Sequence, residues 1–176
     1  CARARALSGW VPRTRYIPAS RFIGITTPII ALHCLLKCLR FPRHLHVCVC
    51  DGRGPGTIPT EFGLLTDATE MRLNSNELTG TIPTEHGRHV QLNSVLYLSA
   101  NEISGALPSE LGNLLELTSA ISFRSNDITS IPTQIGKLTR FSYYLYLYSN
   151  ELTGSIPTQI GGLSELTSYF YLHSNE

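Results

Sequence analysis

Charged residues are scarce in this sequence and unevenly placed. Lys, Arg, Asp and Glu make up 15% of the 176 residues, and the formal net charge is +1. Apolar residues make up 42%, so the composition excludes a chain that is disordered throughout. The length suits one domain of ordinary size and is too short for a protein kinase with anything else attached.

Acidic residues are nearly missing from the first 55 positions, and cysteine is missing from the rest. Residues 1–55 hold nine basic residues and one acid (net +8), whereas residues 56–176 hold five basic residues and twelve acids (net −7). The five cysteines all lie in the first part, at Cys1, Cys34, Cys38, Cys48 and Cys50. Such a difference predicts two distinct segments rather than one fold repeated from end to end.

Catalytic motifs are also missing. The sequence has no Gly-rich phosphate loop, no His-Glu-x-x-His and no Gly-x-Ser-x-Gly. His86 and His89 lie near Glu85, but no nucleophile is placed beside them. We therefore expect a protein that is not an enzyme and uses no cofactor.

Two markers recur with one period over residues 56–176. Ile-Pro or Leu-Pro dipeptides recur with their prolines 24 or 25 positions apart, at Pro59, Pro83, Pro108, Pro132 and Pro157. Asparagines recur at the same spacing, at Asn76, Asn101, Asn126, Asn150 and Asn175. Each asparagine ends the pattern apolar-x-apolar-x-x-Asn, whose alternation is typical of a half-buried strand. Independent markers with a shared period indicate an internal repeat.

A repeat of this kind predicts stacked units. One unit cannot bury its own apolar face, whereas stacked units can, with their strands aligned in a parallel sheet about 4.8 Å apart. Proline after each asparagine excludes a central strand or a helix interior there.

His86 takes a position that is apolar in the other units, which predicts a partly buried substitute. The asparagine amides, stacked at the strand exits, can bond backbone groups, so we expect a structural ladder.

This pattern resembles the leucine-rich repeat, and Asn76-Glu-Leu-Thr-Gly-Thr-Ile-Pro83 resembles its plant-type subclass, with the consensus Asn-x-Leu-x-Gly-x-Ile-Pro. The resemblance covers about residues 56–176. It implies an α/β-type solenoid, a right-handed horseshoe with a parallel β-sheet on the concave face and loops or short 3-10 segments on the convex face. It also implies an ectodomain fragment of a secreted or membrane receptor-like protein, extracellular or at the cell membrane. A kinase and signalling are implied by the resemblance alone.

Four of the five units depart from the family spacing by one extra residue just before the strand. We expect the sheet to survive, with a bulge or loosened turn absorbing the residue. The chain ends at Glu176 in the middle of a unit, so we expect a fragment of a longer protein. Projection of the repeat backward puts Val47 and Val49 in strand positions. The repeat domain is therefore predicted to span 45–176, with Leu45–Cys50 as a degenerate first strand.

Residues 1–44 are interpreted in two ways. Phe22–Leu39 is mostly apolar and follows a basic flank, which is the layout of a signal peptide or membrane anchor. The alternative is a wrongly joined reading frame, because residues 1–44 have no acid and no clear period. The cysteines and histidines of residues 34–50 do not have the spacing of a structural zinc site, and disulfides are favoured if the chain is secreted. No aromatic pattern accompanies the basic residues, so we expect no nucleic acid partner.

The exposed strand positions form columns on the predicted concave face, where solenoids bind extended ligands. The first column contains Arg72, Tyr97, Ser122, Tyr146 and Tyr171. The second contains Asn74, Ser99, Arg124, Tyr148 and His173. Tyrosine and arginine are enriched at binding hot spots. The predicted ligand-binding set is therefore Arg72, Tyr97, Arg124, Tyr146, Tyr148, Tyr171 and His173. Tyrosine also suits exposed strands by propensity and cross-strand stacking alone.

We predict a protein or peptide ligand on this face, with a glycan as the second choice. The alternative function is a stand-alone secreted protein, either an enzyme inhibitor, a glycan-binding protein or an ice-binding protein. Ice binding would use a hydroxyl column after the prolines, formed by Thr60, Thr84, Ser109, Thr133 and Thr158. Threonine also favours such positions for turn reasons.

Overall fold

The computed structural model describes residues 44–46 and 56–176, in which short parallel strands alternate with 3-10 segments. The strands are β1 (His44–His46), β2 (Gly56–Thr57), β3 (Glu70–Arg72), β4 (Leu78–Gly80), β5 (Val95–Tyr97), β6 (Glu102–Ala106), β7 (Ala120–Ser122), β8 (Asp127–Ser130), β9 (Tyr144–Tyr146) and β10 (Tyr169–Tyr171). The 3-10 segments are Thr60–Leu64, Thr84–Arg88, Ser109–Asn113, Thr133–Lys137 and Thr158–Gly162.

The strands form two parallel sheets. The larger sheet has the order β1-β3-β5-β7-β9-β10, and it contains the strands that precede the asparagines. Its register carries one unit onto the next, so that Leu96 lies opposite Met71 on one side and Ile121 on the other. The predicted solenoid, with its parallel sheet and short 3-10 segments, is confirmed. The smaller sheet, in the order β2-β4-β6-β8, follows the asparagines and was not predicted.

The core lies between the sheets and the 3-10 segments. It is built from apolar side chains that recur at the same place in each unit, so every layer packs on the next. The two strand positions of successive units are at most 1% exposed, at Met71, Leu73, Leu96, Leu98, Ile121, Phe123, Leu145 and Leu147. Each such side chain contributes about 1.5–3 kcal/mol of transfer free energy. The solenoid is therefore held by one continuous column rather than by separate cores.

The first strand is two residues from its predicted place. Leu45 of β1 lies opposite Met71, where the projection put Val47. The projection assumed the ordinary period, but Leu45 and Met71 are 26 positions apart (71 − 45). Val47 and Val49 lie outside the described residues. The apolar run Phe22–Leu39 and all five cysteines also lie outside them, so the account of residues 1–44 stays a prediction.

The extra residue of the later units is absorbed in the turn before the strand, as predicted. The carbonyl of Thr69 accepts from the N–H groups of both Asn93 (3.2 Å) and Ser94 (3.1 Å). The same doubling recurs one unit later, where the Ser94 carbonyl accepts from Ser119 and Ala120. The larger sheet keeps its register beyond these turns. In the smaller sheet the register shifts between β6 and β8, beside the unit with the shorter asparagine-to-proline link.

The residue before each asparagine turns the chain with a left-handed backbone. The φ angles of these residues lie between 55° and 58°, at Ser75, Ala100, Ser125, Ser149 and Ser174. This conformation costs about 1–3 kcal/mol for a residue other than glycine. In the sequence these positions hold serine or alanine, and the structure shows that they form the turn. The asparagine that follows bonds back across it, as in Asn101 Nδ2 to the Leu98 carbonyl at 2.9 Å.

Glycine in each 3-10 segment permits close stacking of the units. A Cβ atom on Gly112 would lie 2.4 Å from the carbonyl oxygen of Gln134 in the next unit. The equivalent Gly161 has no atom within 4 Å of such a Cβ.

We expect Gly112→Ala to lower the free energy of unfolding by about 1–3 kcal/mol, the usual cost of overpacking. The matched change Gly161→Ala should have little effect, because its added methyl group meets open space. Urea unfolding of both variants checks this. Equal unfolding midpoints would show that the contact at Gly112 relaxes at no cost.

Candidate functional site

The outer side of the larger sheet carries two rows of stacked rings, which we call the aromatic face. The first row is Tyr97, Tyr144, Tyr146 and Tyr171, with centroids 6.1, 4.3 and 5.1 Å apart and interplanar angles of 15°, 18° and 4°. The second row is Tyr148 and His173, 4.5 Å apart at 13°. Adjacent strands lie about 4.8 Å apart, so the sheet itself sets the stacking distance between neighbouring units.

An arginine lies over the first ring of each row. The guanidinium carbon of Arg72 is 4.9 Å from the centroid of Tyr97, and that of Arg124 is 5.7 Å from the centroid of Tyr148. Both distances are within the range of cation–π attraction. Arg72 also donates from Nε to the Glu70 carboxylate. Within residues 56–176, Arg124 is exposed and has no carboxylate partner.

Two tyrosines of the first row meet over small residues in β7. Tyr97 belongs to β5 and Tyr144 to β9, yet their hydroxyls share a hydrogen bond across the strand between them. Beneath them Ala120 is 1% exposed and Ser122 is 4% exposed. The expectation that Ser122 is exposed was therefore wrong, and Ser99 is buried as well. A small side chain between two tyrosines is covered by them.

The hydroxyls of Tyr144 and Tyr146 are held in the neutral form. Burial raises the pKa of Tyr144 well above its usual range, and the hydrogen bond between Tyr144 and Tyr97 adds to the effect. The pKa of Tyr146 is raised by partial desolvation and then by the neighbouring tyrosines, of which Tyr171 is the first. Both groups therefore remain able to donate a hydrogen bond at neutral and mildly alkaline pH.

All seven residues of the predicted binding set lie on this one face, at the strands or directly after them. Sequence reasoning missed two further tyrosines. Tyr144 joins the first row, and Tyr169 contacts Tyr171 at 5.5 Å. The position of Tyr144 and Tyr169 in the repeat is occupied by Glu70, Val95 and Ala120 in the earlier units. Because the residue type changes from unit to unit, the sequence did not indicate a binding position there.

The asparagines form a hydrogen-bonded ladder behind this face. Asn126 is 6% exposed, and its Nδ2 donates to the carbonyls of Leu98 (3.0 Å) and Phe123 (2.9 Å). Its Oδ1 accepts from the N–H of Ile103 at 3.1 Å. Asn101 and Asn150 repeat this pattern in their own units. One side chain thus bonds the strand exits of its own unit and the preceding unit, and also the strand of the smaller sheet that precedes it in the chain.

His86 and His89 form a buried pair in the second unit. Each is 1% exposed, and their rings meet edge to face at 5.4 Å. His86 was predicted to be partly buried, but it is fully enclosed because it takes a core position of the unit. Neither of its ring nitrogens has a partner in the described part of the chain, whereas His89 Nδ1 lies 3.0 Å from the Leu65 carbonyl. Burial, followed by repulsion from His89, lowers the pKa of His86 to about 3.

The hydroxyl column after the prolines lies apart from the aromatic face, at the first residue of each 3-10 segment. Every hydroxyl contacts the side chain of the next residue, as in Ser109 to Glu110 at 3.0 Å. Among residues 44–46 and 56–176, no three His, Cys, Asp or Glu side chains converge as a metal site. No helix in those ranges is long and apolar enough to cross a membrane.

Comparisons with known proteins bear on the same residues. The family described as Leucine Rich Repeat matches residues 94–114 and 143–163. The structure is similar to the ectodomain of the plant membrane receptor kinase GASSHO1/SCHENGEN3 of Arabidopsis thaliana, solved in complex with CASPARIAN STRIP INTEGRITY FACTOR 2. That similarity has a TM-score of 0.64 and 35% identity, over 70% of this chain and 16% of the receptor.

Two further solved structures are also similar to this chain. The Arabidopsis receptor kinase HAESA, in complex with the peptide hormone IDA and the co-receptor SERK1, matches with a TM-score of 0.61 and 29% identity, over 69% of this chain and 20% of that one. A leucine-rich-repeat protein of Leptospira interrogans matches with 0.58 and 32%, over 70% and 32%. The chain thus spans less than a third of each of these proteins. No curated protein sequence matches it.

Proposed function

Since the chain belongs to the plant-type leucine-rich-repeat proteins, we propose that it is a recognition module that binds a peptide or an extended protein segment on the aromatic face. The observation that carries this proposal is the pair of stacked rows with their arginines. Tyr146, Tyr148 and Tyr171 offer large contact areas with polar tips, and they contact one another on one open surface. Such residues dominate the energetics of protein interfaces.

The similar structures support the same class of ligand. Two of them are plant receptor ectodomains whose complexes contain CASPARIAN STRIP INTEGRITY FACTOR 2 in one case and the peptide hormone IDA in the other. We infer by this likeness that the chain is a binding module of a receptor-like protein rather than an enzyme, and that it works outside the cell or at the cell membrane. A glycan is the second ligand class, and membrane attachment through Phe22–Leu39 stays part of the proposal.

The side chains of the aromatic face are ordered before a ligand binds, which favours high affinity for the ligand. The rings are already stacked, and the first row is tied at one end by the hydroxyl pair of Tyr97 and Tyr144. Side chains ordered before binding lose less entropy on association, about 0.5–1.5 kcal/mol for each side chain that need not be immobilised. The face is therefore suited to a ligand that is itself disordered until it binds.

The double variant Tyr146→Ala/Tyr148→Ala is expected to weaken peptide binding about 30-fold or more, the equivalent of one hot spot. The measurement begins with a displayed library of short random peptides panned against the folded protein. The Kd of the best binder is then determined by calorimetry for each variant.

The matched control is Thr84→Ala/Thr133→Ala, which removes two exposed hydroxyls from the 3-10 segments, away from the face. Its Kd should stay unchanged. Equal binding by the tyrosine variant, with its unfolding midpoint preserved, would place the ligand elsewhere on the protein.

A further inference from the structure

The aromatic face carries two arginines, and only one of them is paired with a carboxylate of residues 56–176. Arg72, at the start of the first row, donates to the Glu70 carboxylate of its own strand. Arg124, at the start of the second row, is exposed and meets no carboxylate within residues 56–176. Strands β7, β9 and β10 contain no acidic residue. The C-terminal half of the face therefore has an uncompensated cation.

The rings beside this cation present their edges. Tyr146 and Tyr171 are 4° from parallel, and Tyr148 and His173 are 13° from parallel, with neighbouring centroids 5.1 and 4.5 Å apart. Rings stacked in this way turn their faces toward one another and their edges toward the solvent. Aromatic edges carry the positive side of the ring quadrupole. The outward groups here are therefore positive edges, phenol hydroxyls and a guanidinium.

We propose that the patch formed by Arg124, Tyr146, Tyr148, Tyr171 and His173, the cationic patch, binds the carboxylate side chains of an acidic polypeptide segment. This inference rests on the proposed function and names the chemistry of its ligand. A guanidinium pairs with a carboxylate through two parallel hydrogen bonds, which fixes orientation as well as affinity. The phenol hydroxyls and ring edges then accommodate the neighbouring acceptor groups of the segment.

The acidic side chains of the protein limit the direction in which such a segment can bind. An acidic column follows the asparagines beyond the strand exits, and each member is exposed, at Glu77, Glu102, Asp127, Glu151 and Glu176. Like charges opposed across an interface cost binding free energy. An acidic ligand is therefore repelled if it continues along a strand toward this column. It is favoured when it runs across the strands, over the two rows.

The same geometry favours a polypeptide over a sugar. Sugar rings bind aromatic residues through open ring faces, whereas in the cationic patch Tyr146 stacks on Tyr171 at 5.1 Å and Tyr148 stacks on His173 at 4.5 Å. Backbone N–H groups and carboxylates of a peptide need donors, acceptors and positive charge, all of which the cationic patch offers. An acidic oligosaccharide shares only the charge.

The test pans one library of random peptides against the wild-type protein, Arg124→Gln and Arg140→Gln, and counts Asp and Glu in the retained sequences. Arg140→Gln is the matched control, because Arg140 is an exposed arginine that pairs with Glu116 in the turns before the strands. We expect acidic peptides from the wild type and from Arg140→Gln. Arg124→Gln should lose that enrichment, and the Kd of the best acidic peptide should rise roughly tenfold or more.

The outcomes separate the two proposals. Retained peptides without acidic enrichment, or equal enrichment with Arg124→Gln, overturn the inference and leave the proposed function in place. Failure of all three proteins to retain any peptide contradicts the proposed function itself. Binding of oligogalacturonate in place of acidic peptides, with loss in Arg124→Gln, also overturns the assignment to a polypeptide. The charge reversal Arg124→Glu gives a second reading, since it should shift the retained sequences toward Lys and Arg.

Discussion

Replacement of His86 by leucine is expected to stabilise the protein and to make it less sensitive to acid. Leucine already occupies the equivalent position in the next unit, at Leu111, so it fits the core there. The change removes two buried ring nitrogens that have no partner in the described residues. An unsatisfied buried polar group costs about 1–3 kcal/mol. We expect a gain of that order at pH 7.

The pH dependence of stability follows from the direction in which folding shifts the pKa of His86. The pKa of His86 falls from 6.5 to about 3 in the folded protein, because burial disfavours the charged ring. The unfolded chain therefore binds a proton at higher pH than the folded chain does. Stability is fully present above pH 6.5 and is lost as the pH falls toward 3, at about 1.4 kcal/mol per pH unit. The pKa of His89 is lowered as well, chiefly by burial, and acts in the same direction.

Urea unfolding of the wild type and His86→Leu at a series of pH values measures this effect. The wild type should lose stability steadily through the acid range, and the variant should lose much less. The double variant His86→Leu/His89→Leu should remove most of the remaining slope. His173→Leu is the control, because His173 is exposed and its loss should leave the slope unchanged. The same slope for His86→Leu and the wild type would mean that the ring gains protons without unfolding.

Asn126→Ala is expected to lower the free energy of unfolding by about 3–5 kcal/mol, because it leaves three backbone groups without their hydrogen-bond partner. The alanine leaves the Leu98 and Phe123 carbonyls and the Ile103 N–H without their partner. Each buried group left unbonded costs about 1–3 kcal/mol. Asn126→Asp keeps an acceptor for the N–H of Ile103, but it loses the donor and buries a charge. It should therefore be no better tolerated.

Two measurements check the asparagine ladder. Chemical unfolding gives the loss of stability, and amide hydrogen exchange reports on Ile103, whose N–H should lose protection first. Asn113→Ala is the matched control, because Asn113 is exposed in a 3-10 segment and belongs to no ladder. A loss for Asn126→Ala no greater than that of the control would show that water replaces the amide without cost.

The repeat could be predicted because its signals are local and recur. Leu96 and Leu98 are apolar residues two positions apart just before Asn101, and the other units have the same pattern. The smaller sheet lacked such a signal, since β4, β6 and β8 each bury one apolar residue, such as Ile103, and both residues of β2 are exposed. The place of β1 could not be predicted either. It depends on two residues added to one unit, and a period measured elsewhere cannot reveal them.

The candidate site was predicted in position but not in detail. The alternation of apolar and polar residues places Tyr97 and Ser122 on the same side of the sheet. It does not indicate the orientation that large side chains adopt on that side. Tyr97 and Tyr144 reach across β7 and cover Ser122, an event that involves three strands at once. The burial of His86 was underestimated for a related reason. A polar residue in an apolar column was expected to sit at its margin, and the stack encloses it completely.

The spacing of the strands also sets a rule for the ligand. An extended polypeptide advances about 3.3 Å per residue, whereas neighbouring strands are about 4.8 Å apart. Two strand spacings therefore match three ligand residues to within a few tenths of an ångström. A segment that crosses from Arg124 in the β7 unit to His173 in the β10 unit covers two spacings. This is the shortest interval at which the two lengths agree, so binding sequences should share fixed residue types three positions apart and tolerate change between them.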